Sequence, residues 1–178
     1  MKVLGAIIAG GKSSRMGQDK AFIEWQGKIL IAHVIERLSP QVDAVIINSN
    51  SDPERFTLPV VADLIETRTP IAGLHAALTY ASARGFDAVL TSPCDTPLLP
   101  PDLYARLSGE GAAIATSDGQ AHFLTGLWPV ECLNLLHGLV RVKDFAGATK
   151  ARQVDWPVKD YDPFINVNTP QDLQNLSQ

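Results

Sequence analysis

A chain of 178 residues, 46% hydrophobic and 19% charged, holds enough apolar material for one full-sized soluble core, so the expectation is a single domain over residues 1–178. A formal net charge of -4 without any Lys/Arg run excludes broad attraction to nucleic acid or to an anionic membrane. Cys94 and Cys132 make no disulfide framework and no Cys/His pair has zinc spacing, which implies a reducing cytoplasm and no structural metal.

In chain order, the first element is an apolar run at 3–9 behind a single Lys2, too short to span a bilayer and leading straight into Gly10-Gly11, hence a buried strand. Residues 21–30 alternate apolar and polar side chains around Gln26-Gly27 and predict a small hairpin. Helical spacing follows at 29–38, then strands at 43–48 and 59–62. A second helix is predicted at 71–83, with Thr69 as N-cap and Pro70 at the first helical position. Further strands are expected at 86–92, 112–115, 122–128 and 164–167, and Thr169-Pro170 repeats the helix-start signal. Strands alternating with helices predict an α/β fold, a mostly parallel sheet flanked by helices.

In open parallel sheets, ligands sit beyond the carboxyl ends of the strands, and the unusual residues of this chain fall there. Gly10-Gly11 follows the first strand, Asn48-Ser49-Asn50 the second, Asp63 the third and Pro93-Cys94-Asp95-Thr96-Pro97 the fourth. Glycine lets phosphate oxygens approach main-chain N–H groups, Arg15 offers a planar fork, and Lys20 offers a mobile point charge. Together they suit a triphosphate whose charge shifts as pyrophosphate leaves. A P-loop is the nearest rival, because residues 6–13 read AIIAGGKS, but Ala6 stands where its first glycine belongs, inside the strand. Cys94 has no partnered base in sequence and reads as a small buried filler, and His33, His75 and His137 read as surface or packing residues.

The string AIIAGGKSSRMGQDK at 6–20 resembles the LAGGxxxRMGxDK signature of the molybdenum cofactor guanylyltransferases, which attach GMP to molybdopterin. TPIAGL at 69–74 resembles their GPLAGL, PCDTP at 93–97 matches theirs, and FINVNTP at 164–170 resembles their FxNxNTP. The resemblance implies a Rossmann-like nucleotidyltransferase fold. It makes Ile8, Ala9 and Gly10 backbone contacts to the nucleotide, with Gly11 completing the loop and Arg15 and Lys20 sharing the phosphate charge. Asn48 and Asp63 line the guanine or ribose end, without a decision as to which touches the base. Asp95 resembles the family's magnesium-binding carboxylate, and one carboxylate plus phosphate oxygens and waters is a set that Mg²⁺ favours.

On the acceptor side, the resemblance places Asn166 and Asn168 near molybdopterin, although Asn168 equally serves to end a strand. Gly73 either admits substrate to a helix start or permits close packing. His122 is a candidate substrate contact. Two positions depart from the family pattern: Phe123 replaces the proline of a segment that usually begins His-Pro, and Thr69 replaces the first glycine of GPLAGL. The expected reaction is attack of the terminal phosphate of molybdopterin on the α-phosphorus of Mg-GTP, with Arg15, Lys20 and Asp95 as the catalytic set. The alternatives are a molybdenum cofactor cytidylyltransferase, whose loop usually reads LAAG, and a non-catalytic carrier of nucleotide or cofactor. Molybdenum-cofactor chaperones or apoenzymes are the expected protein partners.

Overall fold

Six consecutive apolar or small residues open the chain's first strand, and all six are buried, as a strand covered by helices on both faces requires. The computed structural model describes residues 1–10, 20–67, 69–168 and 170–175. In chain order the elements are β1 (Val3–Ile8), β2 (Glu24–Trp25), β3 (Lys28–Ile29), α1 (Leu30–Leu38), β4 (Ala44–Asn48), β5 (Val60–Val61), α2 (Ile71–Ala83), β6 (Ala88–Pro93), α3 (Leu103–Leu107), β7 (Ala113–Ser117), β8 (Gln120–Pro129), α4 (Val142–Ala148), β9 (Arg152–Asp155) and α5 (Pro170–Asn175). Seven strands form one sheet in the order β5-β4-β1-β6-β8-β7-β9. Only β8 runs against its neighbours β6 and β7; the β1–β4, β1–β6, β4–β5 and β7–β9 pairs are parallel.

Strand alternation divides β1 between two cores. Val3 and Ile7 face one layer with Ile31, Val34 and Leu38 of α1 and Leu103 and Leu107 of α3. Leu4, Ala6 and Ile8 face the other, with Leu74, Leu78 and Ala81 of α2 and Phe145 of α4. Helices α1 and α2 thus lie on opposite faces, and the chain leaves β1 for β4 on one side while β6 takes the other. That reversal puts a crevice at the carboxyl ends of β1 and β6.

The predicted hairpin is present: Glu24 pairs with Ile29 and Trp25 with Lys28. Gln26 and Gly27 have φ of 48° and 77°, the pair of positive angles that a two-residue turn of this hand needs. His33 packs as expected, its ring 4.9 Å from that of Trp25 and its Nε2 bonded to the Trp25 carbonyl at 2.8 Å. Cys94 is buried in the α1-side core.

Two expectations are corrected. Residues 164–167 form no strand, because β9 occupies the outer edge of β7, pairing Ala113 with Arg152 and Thr116 with Asp155. The segment is instead tied to the sheet's end by Val167 N–H donating to the Asp95 carbonyl at 2.9 Å. Thr69 does not cap α2 through its side chain; its hydroxyl donates to the Val140 carbonyl at 2.6 Å, a bond that glycine at this position could not make. The matching proposal for Thr169 lies outside the described residues, although α5 does begin at Pro170.

Candidate active site

At the end of β1 the ladder continues one residue on each side, with Cys94 N–H donating to Ile8 O at 3.3 Å and Ala9 N–H to Asn48 O at 2.9 Å. The Ala9 N–H is therefore committed to the sheet. Gly10 is the first residue clear of the ladder, and a Cβ there would stand 3.2 Å from Asn48 Oδ1. Gly11 and Arg15 lie outside the described residues.

Asn48, at the end of β4, is wholly buried. Its Nδ2 donates to the Val61 carbonyl at 3.1 Å and to Asp63 Oδ1 at 2.9 Å, while its buried Oδ1 has no partner among the described residues. Asn50 completes the arrangement, donating from Nδ2 to Asp63 Oδ2 at 2.8 Å and accepting the Asp63 N–H at 2.9 Å. Each Asp63 carboxylate oxygen thus takes an amide donor and keeps a lone pair for an incoming N–H or O–H. Gly73, in the first turn of α2, sits directly on this amide: a Cβ would collide with Asn48 Oδ1 and lie 2.9 Å from Asn48 Cγ and 3.0 Å from Ile8 Cγ2. Of the two readings of Gly73, close packing is the one this geometry carries.

Across the crevice, Asp95 follows β6 in a turn closed by Thr96, whose hydroxyl donates to the Pro93 carbonyl at 3.0 Å. Lys20 Nζ lies 3.5 Å from Asp95 Oδ2, with side chains 28% and 14% exposed. The ammonium also donates to Asn168 Oδ1. Desolvation pushes the Asp95 carboxyl above its ordinary value, and the Lys20 charge and the residue's own N–H recover only part of that. A buried, under-compensated carboxylate beside a lysine is a site short of positive charge. Asn166 and Asn168 are exposed with Val167 buried between them, so they share a side although no ladder holds them. Asn168 N–H donates to Asp172 Oδ2 at 2.8 Å, fixing the segment against the start of α5.

His122 lies near the start of β8, opposite Ala115. Its Nε2 is 2.6 Å from Ser117 Oγ, and that hydroxyl donates to Asp162 Oδ1 at 2.9 Å. The His122 ring packs 4.8 Å from that of Phe164, and burial lowers its pKa against the raising effect of Asp162. Between the pairs Ala115–His122 and Ile114–Gly126 the register shifts, and Phe123 packs from this bulge against the α2-side core.

Residues 5–155 match the family described as the MobA-like NTP transferase domain. A protein named molybdenum cofactor guanylyltransferase from Cereibacter sphaeroides is 42% identical, over 97% of this chain and 94% of its own. The chain belongs to the molybdenum cofactor guanylyltransferase family. A relative of the same name from Rhodobacter capsulatus is 39% identical over 97% of this chain and 94% of its own. Membership makes the chain a nucleotidyltransferase, and its family's reaction is transfer of GMP from GTP to molybdopterin. The solved structure of molybdopterin-guanine dinucleotide biosynthesis protein A from Archaeoglobus fulgidus shares the Rossmann-like fold, with a TM-score of 0.73 and 24% identity over 97% of this chain and 95% of that one. No helix among the described residues is long and apolar enough to cross a membrane.

Asn50, Ser117 and Asp162 are the parts of the site that sequence reasoning missed. For Asn50 the signal was its two-residue spacing from Asn48, which carries both amides to one carboxylate. For Ser117 and Asp162 there was none, since 45 residues separate them and only the fold joins them.

Proposed function

We propose that the carboxyl edge of β1, β4 and β6 binds GTP with its polyphosphate over the loop that starts at Gly10 and its guanosine toward Asp63. The supporting observation is the Lys20–Asp95 pair: an ammonium and a desolvated carboxylate facing each other just past the carboxyl end of β6, beside that of β1. Gly10 and Gly11 supply the close backbone approach, and Arg15 and Lys20 the positive charge. Ile8 and Ala9 contribute their main-chain position beneath the nucleoside, the Ala9 N–H being held by Asn48. Asp63, oriented by Asn48 and Asn50, accepts from guanine or ribose donors.

The residues fit Mg²⁺: a single desolvated carboxylate is what an ion completing its shell with phosphate oxygens and waters uses, and Asp95 is that carboxylate. When bound, the ion neutralises charge on the departing pyrophosphate.

Molybdopterin then occupies the side formed by Asn166, Asn168 and His122, with Gly73 shaping the crevice by letting α2 close on Asn48. Its terminal phosphate oxygen attacks the α-phosphorus of GTP; the new P–O bond forms as the α–β phosphoanhydride breaks, and pyrophosphate leaves with the electron pair. The attacking phosphate is already ionised, so positioning and charge neutralisation carry the step without a strong base. Lys20 is suited to follow the negative charge as it moves toward the leaving group. A cytoplasmic setting with molybdenum-cofactor chaperones or apoenzymes as recipients completes the proposal.

Purified protein given Mg²⁺, molybdopterin and either GTP or CTP tests the reading through pyrophosphate release. Release with GTP that depends on molybdopterin is expected. Preference for CTP would make the enzyme a cytidylyltransferase, and binding without release would make it a carrier.

A further inference from the structure

A second polar cluster stands on the same sheet edge, away from the nucleotide side, and of its members the proposed reaction uses only His122. Ser117 closes β7 and is fully buried, His122 faces it from β8, and Asp162 reaches it from the loop after β9. Asp162 Oδ1 accepts twice, from Ser117 Oγ and from Phe164 N–H, both at 2.9 Å. The Phe164 ring then packs on His122, so the three residues and the aromatic ring hold one another. From Phe164 the chain runs directly to Val167, bonded to Asp95, and Asn168, bonded to Lys20. The cluster therefore anchors the segment that carries both candidate acceptor-side asparagines.

Hydrogen counting places a hydrogen on Nε2 of the ring. An ionised carboxylate only accepts, and a hydroxyl has a single hydrogen. That of Ser117 goes to Asp162, so the contact between Ser117 Oγ and His122 Nε2 needs its hydrogen from the imidazole. Desolvation favours the uncharged ring, which then carries its only hydrogen on Nε2 and leaves Nδ1 with a lone pair. Nδ1 has no hydrogen-bond partner among the described residues.

We infer that Ser117 and Asp162 are positioning residues that hold His122 as the neutral Nε2–H tautomer, so that Nδ1 accepts a hydrogen bond from a ring N–H or amino group of the acceptor's pterin. The inference rests on the reading of this edge as the acceptor side of a guanylyl-transfer site. It assigns His122 to the heterocycle and not to the acceptor's phosphate, because a neutral ring with Nδ1 as acceptor has no hydrogen to give an anion, and the Asp162 carboxylate behind it repels one.

Nitrogen-resolved NMR of the imidazole in the intact protein reads the tautomer directly. Wild type is expected to show Nε2–H at neutral pH; an Nδ1–H ring or an imidazolium would overturn the inference, whatever the enzyme transfers. Ser117→Ala and Asp162→Ala remove the chain of acceptors and should give mixed tautomers. Asp162→Asn keeps an oxygen where both donors point and should retain Nε2–H. In the pyrophosphate assay, the two alanine variants should raise KM for molybdopterin about five- to tenfold, the value of one ordinary hydrogen bond, with KM for GTP unchanged. Asp162→Asn should restore it. Unchanged KM for molybdopterin in both alanine variants would overturn the inference, whereas a wild-type enzyme that transfers no GMP would instead sink the functional reading beneath it.

Discussion

Gly73 is where the fold and the site are most tightly joined, and its replacement by alanine has a calculable cost. The new methyl group would collide with Asn48 Oδ1 and press on Ile8 Cγ2 at 3.0 Å. Asn48 is fully buried and cannot swing into water; to yield, it must give up its bonds to Val61 O and Asp63 Oδ1, or α2 must lift from β1. Overpacking costs about 1–3 kcal/mol, and a buried amide left unpaired about another 1–3 kcal/mol. Alanine's better helix propensity returns about 1 kcal/mol. The net is about 1–5 kcal/mol, which for a chain of this size lowers the melting midpoint by roughly 2–20 °C. Thermal unfolding followed by circular dichroism reads this, with Gly147→Ala as control: Gly147 is exposed in α4 with no neighbour within 4 Å of its Cβ position, and its replacement should leave stability equal or higher. Because Asn48 orients Asp63, Gly73→Ala should also raise KM for GTP. A variant as stable as the parent, with the parent's KM, would refute the packing argument.

Asp95→Asn should cut turnover about 100-fold or more by removing the charge opposite Lys20, and the same change should stabilise the apoprotein at neutral pH. The sign follows from burial: a carboxyl whose folded pKa is raised binds more protons folded than unfolded, so stability falls as pH climbs from 3.8 through the raised value, and Asn removes that slope. Urea titrations from pH 3 to 7 compare the two proteins; parallel curves would contradict it. Lys20→Ala should weaken GTP binding roughly 10–100-fold by calorimetry, the worth of a charge-assisted contact, and an equal dissociation constant would make this lysine structural. Asn50→Ala frees one Asp63 oxygen and its N–H partner, and should raise KM for GTP about tenfold with a smaller change in kcat. An unchanged KM for GTP would show that Asp63 is held by Asn48 alone.

Much of the architecture was readable because it rests on local rules. Residues 71–83 pack a helix spacing behind a proline, and the Gln26-Gly27 turn needs angles that few residues tolerate. The crevice was legible for a similar reason, since Gly10, Asn48, Asp63 and Asp95 each follow a strand. What escaped depends on neighbours distant in sequence. The edge strand Arg152–Asp155 shows only Val154 to the core, so its four residues carry no hydrophobic signature. Residues 164–167 carry three apolar side chains in a row of four and read as a strand, yet Phe164 and Val167, three residues apart, are the two that become buried, and the Val167 N–H goes to the Asp95 carbonyl and not into a ladder. Thr69 has the chemistry of a cap and finds Val140 instead, because the segment before α4 folds back over the start of α2.

In the proposed reaction one phosphoryl centre passes directly from GTP to the acceptor at this crevice. GTP labelled at the α-phosphorus, incubated with the protein, Mg²⁺ and molybdopterin, decides it. Label is expected in a guanine-containing pterin product in step with pyrophosphate release, and none on the protein after denaturation. Label retained covalently on the chain, or released only as GMP, would contradict it.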